Sequence, residues 1–172
     1  MPAIAACSER RHNNVMEVTI NSIKRELSDF VTGAWLRPPS AHQVAALCWR
    51  RAGEGHEVLL VTTRRSGQWM VPKGWPEPGR PDPEMAAVEA YEEAGASGTL
   101  KAEPVGRFHY DKAIGCGARM ECNATLYALE VSELAEDFPE SGERELRWFS
   151  PDEAAIRVKA PELSALLRTF TP

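Results

Sequence analysis

The sequence predicts an α/β sandwich. Short apolar runs of strand length, rich in β-branched residues, alternate with stretches of helical periodicity, and Pro and Gly punctuate the joins. The 172 residues are about one domain's length, and 43% hydrophobic with 26% charged residues is the balance of a globular chain with a sizeable core.

The elements follow in order. Residues 1–14 have no periodic pattern and predict a disordered start. Residues 15–32 place Ile20, Ile23, Leu27, Phe30 and Val31 near helical spacing, which predicts a short amphipathic helix. Pro38 and Pro39 mark a linker, so residues 1–40 form an N-terminal extension and 41–172 the main domain. Val44–Trp49 and Val58–Thr63 read as neighbouring strands joined by a Gly-rich turn at 51–55. Trp69–Val71 is a third short strand, closed by Pro72-Lys73-Gly74, and residues 75–82 are a loop.

Asp82-Pro83 announces a helix, with Asp82 as N-cap and Pro83 at the first helical position. Met85, Ala86, Ala90 and Ala94 supply its apolar face, and Gly95 ends it. Strands are expected at 99–108, 119–131 and 145–149, and closing helices at 151–157 and 160–170.

Formal net charge is −5, which argues against a general nucleic-acid binder but leaves room for a small anionic substrate. No apolar stretch approaches the length of a membrane span, and residues 1–14 lack a hydrophobic signal core. The expected location is cytoplasmic. Of Cys7, Cys48, Cys116 and Cys122, no pair has the CxxC spacing of a zinc site, and Cys48 reads as a buried free thiol. Oligomeric state is open, and a homo-oligomer is compatible with the chain.

Glu89, Glu92 and Glu93 stand at i, i+3 and i+4, on one side of the helix, with Glu84 earlier. No Lys or Arg lies within four residues on the helix to relieve their repulsion. One reading is a solvated acidic face. The other is a site for a hard cation such as Mg²⁺, which takes oxygen ligands, keeps waters and bridges to phosphates. The Pro-Lys-Gly turn just upstream favours the second, because its backbone groups can face a metal and an oxyanion.

From Gly74 to Ala96 the sequence (GWPEPGRPDPEMAAVEAYEEAGA) resembles the Nudix box: Gly, five residues, Glu, seven residues, then Arg-Glu-U-x-Glu-Glu-x-Gly-U, with U bulky and apolar. Gly74, Glu89, Glu92, Glu93 and Gly95 are in register. Arg80 stands in place of the first Glu, and Val88 in place of the Arg that orients the glutamates. Arg80 is the residue expected to supply that guanidinium in part.

The resemblance implies a Nudix-type α/β/α sandwich with a mixed β-sheet, and a hydrolase of acid anhydrides in phosphorus-containing compounds. It implies Mg²⁺, with Mn²⁺ as the alternative, held by Glu89, Glu93 and the Lys73 backbone carbonyl. Glu92 would bind metal or act as general base.

Within the family, EVLLVTTRRSGQWMVPKG and the later GTL, F-x-Y-x-K and ELRWF elements are similar to the diphosphoinositol polyphosphate phosphohydrolases, which also cleave diadenosine polyphosphates. That likeness assigns phosphate contacts to Thr63 and Arg65, with Lys73 and Gly74 at the subgroup's triple glycine and Gln43 where the subgroup has a basic residue. Arg64 and Lys112 are further substrate-binding candidates.

The partner expected is a small phosphorylated substrate: a diphosphoinositol polyphosphate, a dinucleoside polyphosphate, or else a nucleoside triphosphate, ADP-ribose or RNA cap. A Nudix-like module that binds such a ligand without turnover is the rival from another class. Glu121 and Glu143 are candidate extra carboxylates, with surface glutamate as the plainer reading. Trp69 and Trp75 flank the site loop as core anchors or stacking rings. His109 and Tyr110 read as sheet residues, and Arg144 and Arg147 as solvated charges.

Overall fold

The computed structural model describes residues 41–115 and 118–172. The chain divides between Pro39 and Ser40, and the described residues belong to the second unit. The disordered start predicted for 1–14, the helix predicted for 15–32, Cys7 and Cys116 lie outside the described residues.

Among the described residues seven strands and three helices follow one another: β1 (Ala41–Ala52), β2 (Gly55–Thr62), β3 (Trp69–Met70), β4 (Lys73–Gly74), α1 (Asp82–Ala94), β5 (Ala96–Gly115), β6 (Ala118–Leu134), β7 (Leu146–Phe149), α2 (Pro151–Arg157) and α3 (Pro161–Thr169). The sheet is mixed, in the order β3-β2-β1-β6-β5, with β4 paired to β1 and β7 to β2. β1 runs parallel to β6, from Ala41 opposite Cys122 to Trp49 opposite Glu130. The other pairings are antiparallel.

Val44 to Trp49 is an unbroken apolar run because both faces of β1 are covered, and each of its residues is buried. Alternate residues divide between two cores. Ala45, Leu47 and Trp49 pack with Leu60, Ala154, Leu163 and Leu167, and so beneath α2 and α3. Val44, Ala46 and Cys48 pack with Leu59, Val61, Met85, Ala86, Ala90 and Ala94, and so against α1. The sheet is therefore the middle layer of an α/β/α sandwich. Each fully buried Leu here contributes about 1.5–3 kcal/mol relative to exposure.

Most elements agree with the sequence in type and order; β1 extends beyond the expected 44–49 at both ends, and two further features differ. The edge strand β5 is far longer than 99–108 and runs through Pro104, with register shifts on either side of it. A proline is admitted because, among the described residues, β5 pairs only with β6, so the missing N–H leaves no second strand there unsatisfied.

Asp82, expected to cap α1, is instead its first residue, and Pro81 is the cap without a side-chain bond. The Asp82 carboxylate is taken by His42 Nε2 at 2.7 Å, which competes with capping. At the other end Gly95 has φ 64°, and its N–H meets the Ala90 and Tyr91 carbonyls. That left-handed conformation favours glycine.

Candidate active site

The short strand β4 is laid across the acidic side of α1 by its pairing with β1, Val44 opposite Gly74 and Ala45 opposite Lys73. Gly74 has no side chain, and the Glu89 carboxylate lies where its Cβ would be. The Lys73 amide donates to Glu93 Oε2 at 3.2 Å. Glu89 is half-buried, Glu93 is buried and Glu92 is exposed. The i, i+3, i+4 pattern thus splits into two inward carboxylates and one facing solvent.

Burial, then repulsion from Glu93 and Glu92, pushes the Glu89 carboxyl up to about 7, against the pull of Lys73. Glu93 is also raised, by burial first, while Lys73, Arg144 and the Lys73 amide bond oppose the shift. A buried carboxylate needs such partners to stay ionised.

Arg144 is the partner that sequence reasoning missed. Read as solvated, it proves to have a side chain only 7% exposed, with Nη2 2.5 Å from Glu93 Oε1. Its Nε donates to Glu140 Oε2 at 2.7 Å and its Nη1 to the Thr62 carbonyl at 3.0 Å. The turn-rich segment that carries it is joined to α1 by the Glu140 amide on the Glu92 carbonyl, at 3.1 Å. Nothing local in the sequence signals this pairing. Arg80, expected to supply a guanidinium, is instead drawn to Glu77 in its own loop at 3.2 Å.

The predicted phosphate contacts are dispersed. The Thr63 hydroxyl meets Ser66 Oγ at 2.8 Å and accepts from the Gln68 amide, so it builds the turn between β2 and β3. Arg64 is drawn to Glu140 and to Glu143, the latter at 2.7 Å. Arg65 is exposed in the same turn. Glu143 is thereby an ion-pair residue, and Glu121 is exposed on β6.

Two lysines face aromatic rings, and one of them, Lys73, acts on both inward glutamates. Lys73 Nζ lies 5.6 Å from the centre of the Tyr110 ring, and Lys112 Nζ 4.7 Å from that of Trp75. The Tyr110 hydroxyl donates to Gln43, which is 2% exposed. Burial is the main cause that raises the Tyr110 phenol, Cys122 comes next, and the charges of Glu93 and Glu89 add less. Tyr110 is therefore a wall of the site as well as a sheet residue. His109 faces Glu162 on the surface, and Trp69 is a core anchor edge-on to Phe149.

Among the described residues no three His, Cys, Asp or Glu side chains are gathered as a closed metal cage. Mg²⁺ does not require one, since it is commonly held by one or two carboxylates with waters and substrate phosphates. The residues fit such an ion: two inward carboxylates repel each other, and one of them fills the cradle that a Cβ at residue 74 would close. Cys48 is a buried free thiol, as expected. No helix among the described residues is long and apolar enough to cross a membrane.

Comparison with known proteins gives the family and the fold. Nudix hydrolase 13, mitochondrial, of Arabidopsis thaliana is 33% identical over 110 residues, covering 59% of this chain and 52% of the relative. Diphosphoinositol polyphosphate phosphohydrolase 2 of Homo sapiens is 33% identical over 115 residues, covering 65% of this chain and 59% of the relative. The chain thus spans about half the length of the curated relatives it matches.

Two solved structures share the fold. A NUDIX hydrolase from Nitrosomonas europaea has a TM-score of 0.59 at 20% identity, over 76% of this chain and 87% of that one. The Ap4A hydrolase of C. elegans has a TM-score of 0.54 at 19% identity, over 76% and 95%. A family model, the NUDIX domain, matches residues 41–170, and with three-quarters of the sequence inside it this chain belongs to the NUDIX family.

Proposed function

We propose that this protein is a Mg²⁺-dependent hydrolase that cleaves a phosphoric anhydride in a small phosphorylated substrate. The observation that carries the reading is the pair of inward carboxylates, Glu89 and Glu93, held against the Lys73-Gly74 turn. Glu89, Glu93 and the Lys73 backbone carbonyl would hold Mg²⁺, with Mn²⁺ as the alternative. When bound, the ion supplies charge neutralisation for bridging phosphates and a more acidic water. Glu92, exposed on the same helix, accepts the proton of the attacking water.

The ammonium groups of Lys73 and Lys112 draw the phosphates in, with Arg65 in the exposed turn as a third cation. The Gly74 position lets the phosphate chain approach the backbone. Thr63 and Arg64 contribute only if they leave their present partners.

Between the two substrate classes named by relatives, a dinucleoside polyphosphate is favoured over a diphosphoinositol polyphosphate. Gln43 is neutral, buried and bonded to Tyr110, so position 43 brings no cation to a densely charged ligand. Tyr110 and Trp75 offer rings beside the lysines instead.

The test is product release over dinucleoside polyphosphates, diphosphoinositols, nucleoside triphosphates, ADP-ribose and capped RNA, with and without Mg²⁺. Glu93→Gln should lose about 10²-fold or more in rate with its fold intact, because metal-held charge stabilises a transition state by several kcal/mol. Tight binding of one of these ligands without turnover would instead make the chain a binding module.

A further inference from the structure

We propose that Arg144 is the positioning residue of the carboxylate site, fixing Glu93 in the orientation that metal and substrate meet. The inference rests on the hydrolase reading and deepens it. Helix α1 has no basic residue in its last turn, and Val88, on α1 where the Nudix box has arginine, is partly buried against the core between α1 and the sheet. Lys73 and Arg144 both bring positive charge to Glu93, and Arg144, distant in sequence, is the one whose side chain bonds the carboxylate.

A connected set of bonds makes this more than charge balance. One Glu93 oxygen accepts from Arg144 and the other from the Lys73 amide, so the carboxylate plane is pinned from both sides. Arg144 is pinned in turn by Glu140 and by the Thr62 carbonyl at the end of β2. Glu140 is anchored by its amide on the Glu92 carbonyl and by Arg64, which also holds Glu143. Charges alternate along the chain Glu143, Arg64, Glu140, Arg144, Glu93. The guanidinium's planar fork serves three acceptors in fixed directions, a task that lysine's single ammonium cannot reproduce.

Arg144→Lys, Arg144→Met and Glu140→Gln test the assignment. Three readouts are needed: Mn²⁺ affinity without substrate, kcat and KM with the best substrate of the panel, and the thermal midpoint. Positioning predicts that Arg144→Lys, which keeps the charge, weakens Mn²⁺ binding and kcat each by about 10–100-fold with KM little changed. Glu140→Gln should move both in the same direction by less, without touching Glu93.

A mere competing cation predicts the reverse: Arg144→Met would tighten Mn²⁺ binding, and Arg144→Lys would be silent. A substrate contact would raise KM and leave Mn²⁺ affinity and kcat alone. Either pattern overturns the proposal. Variants that bind Mn²⁺ as tightly as the wild type overturn it while the hydrolase reading stands. A wild type that binds no Mn²⁺ overturns the metal reading and this proposal together. If both Arg144 variants fail to fold, Glu140→Gln decides alone.

Discussion

The carboxylate of Glu89 occupies the space in which a side chain on Gly74 would begin. Gly74 is not among the glycines with positive φ, so the requirement for glycine comes from the site and not from the backbone. Gly74→Ala should therefore push aside the flexible end of Glu89 while β4 persists. Activity is expected to fall by about 10²-fold, the scale of a 1 Å misplacement. Stability should change by no more than the about 1–3 kcal/mol of an overpacked position. Kinetics measured beside thermal melts check this, and an activity loss fully explained by unfolding would refute it.

The same carboxylate ties stability to pH. Glu89 is raised from 4.5 to about 7, so the folded chain holds a proton that the unfolded chain has released between those values. Its contribution to stability is fully present below about 4.5 and is lost as pH rises through about 7. In EDTA the wild type should lose more stability over that interval than Glu89→Gln, which cannot titrate there. Mg²⁺ binds the ionised form, so stabilisation by Mg²⁺ should grow as pH rises through the same range. Melting curves for both proteins, with EDTA and with Mg²⁺, measure both effects, and parallel pH slopes in EDTA would contradict the assignment.

A control lies on the opposite layer. Ser150 and Glu153 form a capping box at the start of α2, with the Ser150 hydroxyl accepting from the Glu153 amide. Ser150→Ala should cost about 1 kcal/mol, which is a fall of about 2–4 °C in Tm for a domain of this size. Rate and metal affinity should stay at wild-type values, because α2 packs on the face of the sheet away from α1. A loss of activity in this variant would mean that the two layers are coupled.

The sequence by itself determined the helix that carries the glutamates, its Gly95 stop, the apolar faces of β1 and β2, and both closing helices. These are local properties: a hydrophobic period, a φ preference or a cap is written within a few residues of where it acts. The i, i+3, i+4 spacing of Glu89, Glu92 and Glu93 likewise puts them on neighbouring turns of one helix.

Tertiary structure alone decided their partners and their separate roles. It turned Glu89 and Glu93 inward and Glu92 outward, through the placement of β4 across the helix. It gave Asp82 to His42, 40 residues away, Tyr110 to Gln43 across 67, and Arg144 to Glu93 across 51. Charged residues in a turn-rich segment look alike in sequence whether water or a carboxylate awaits them. Only the docking of that segment on α1 removed the water around Arg144, and with it changed a surface charge into the partner of the buried glutamate.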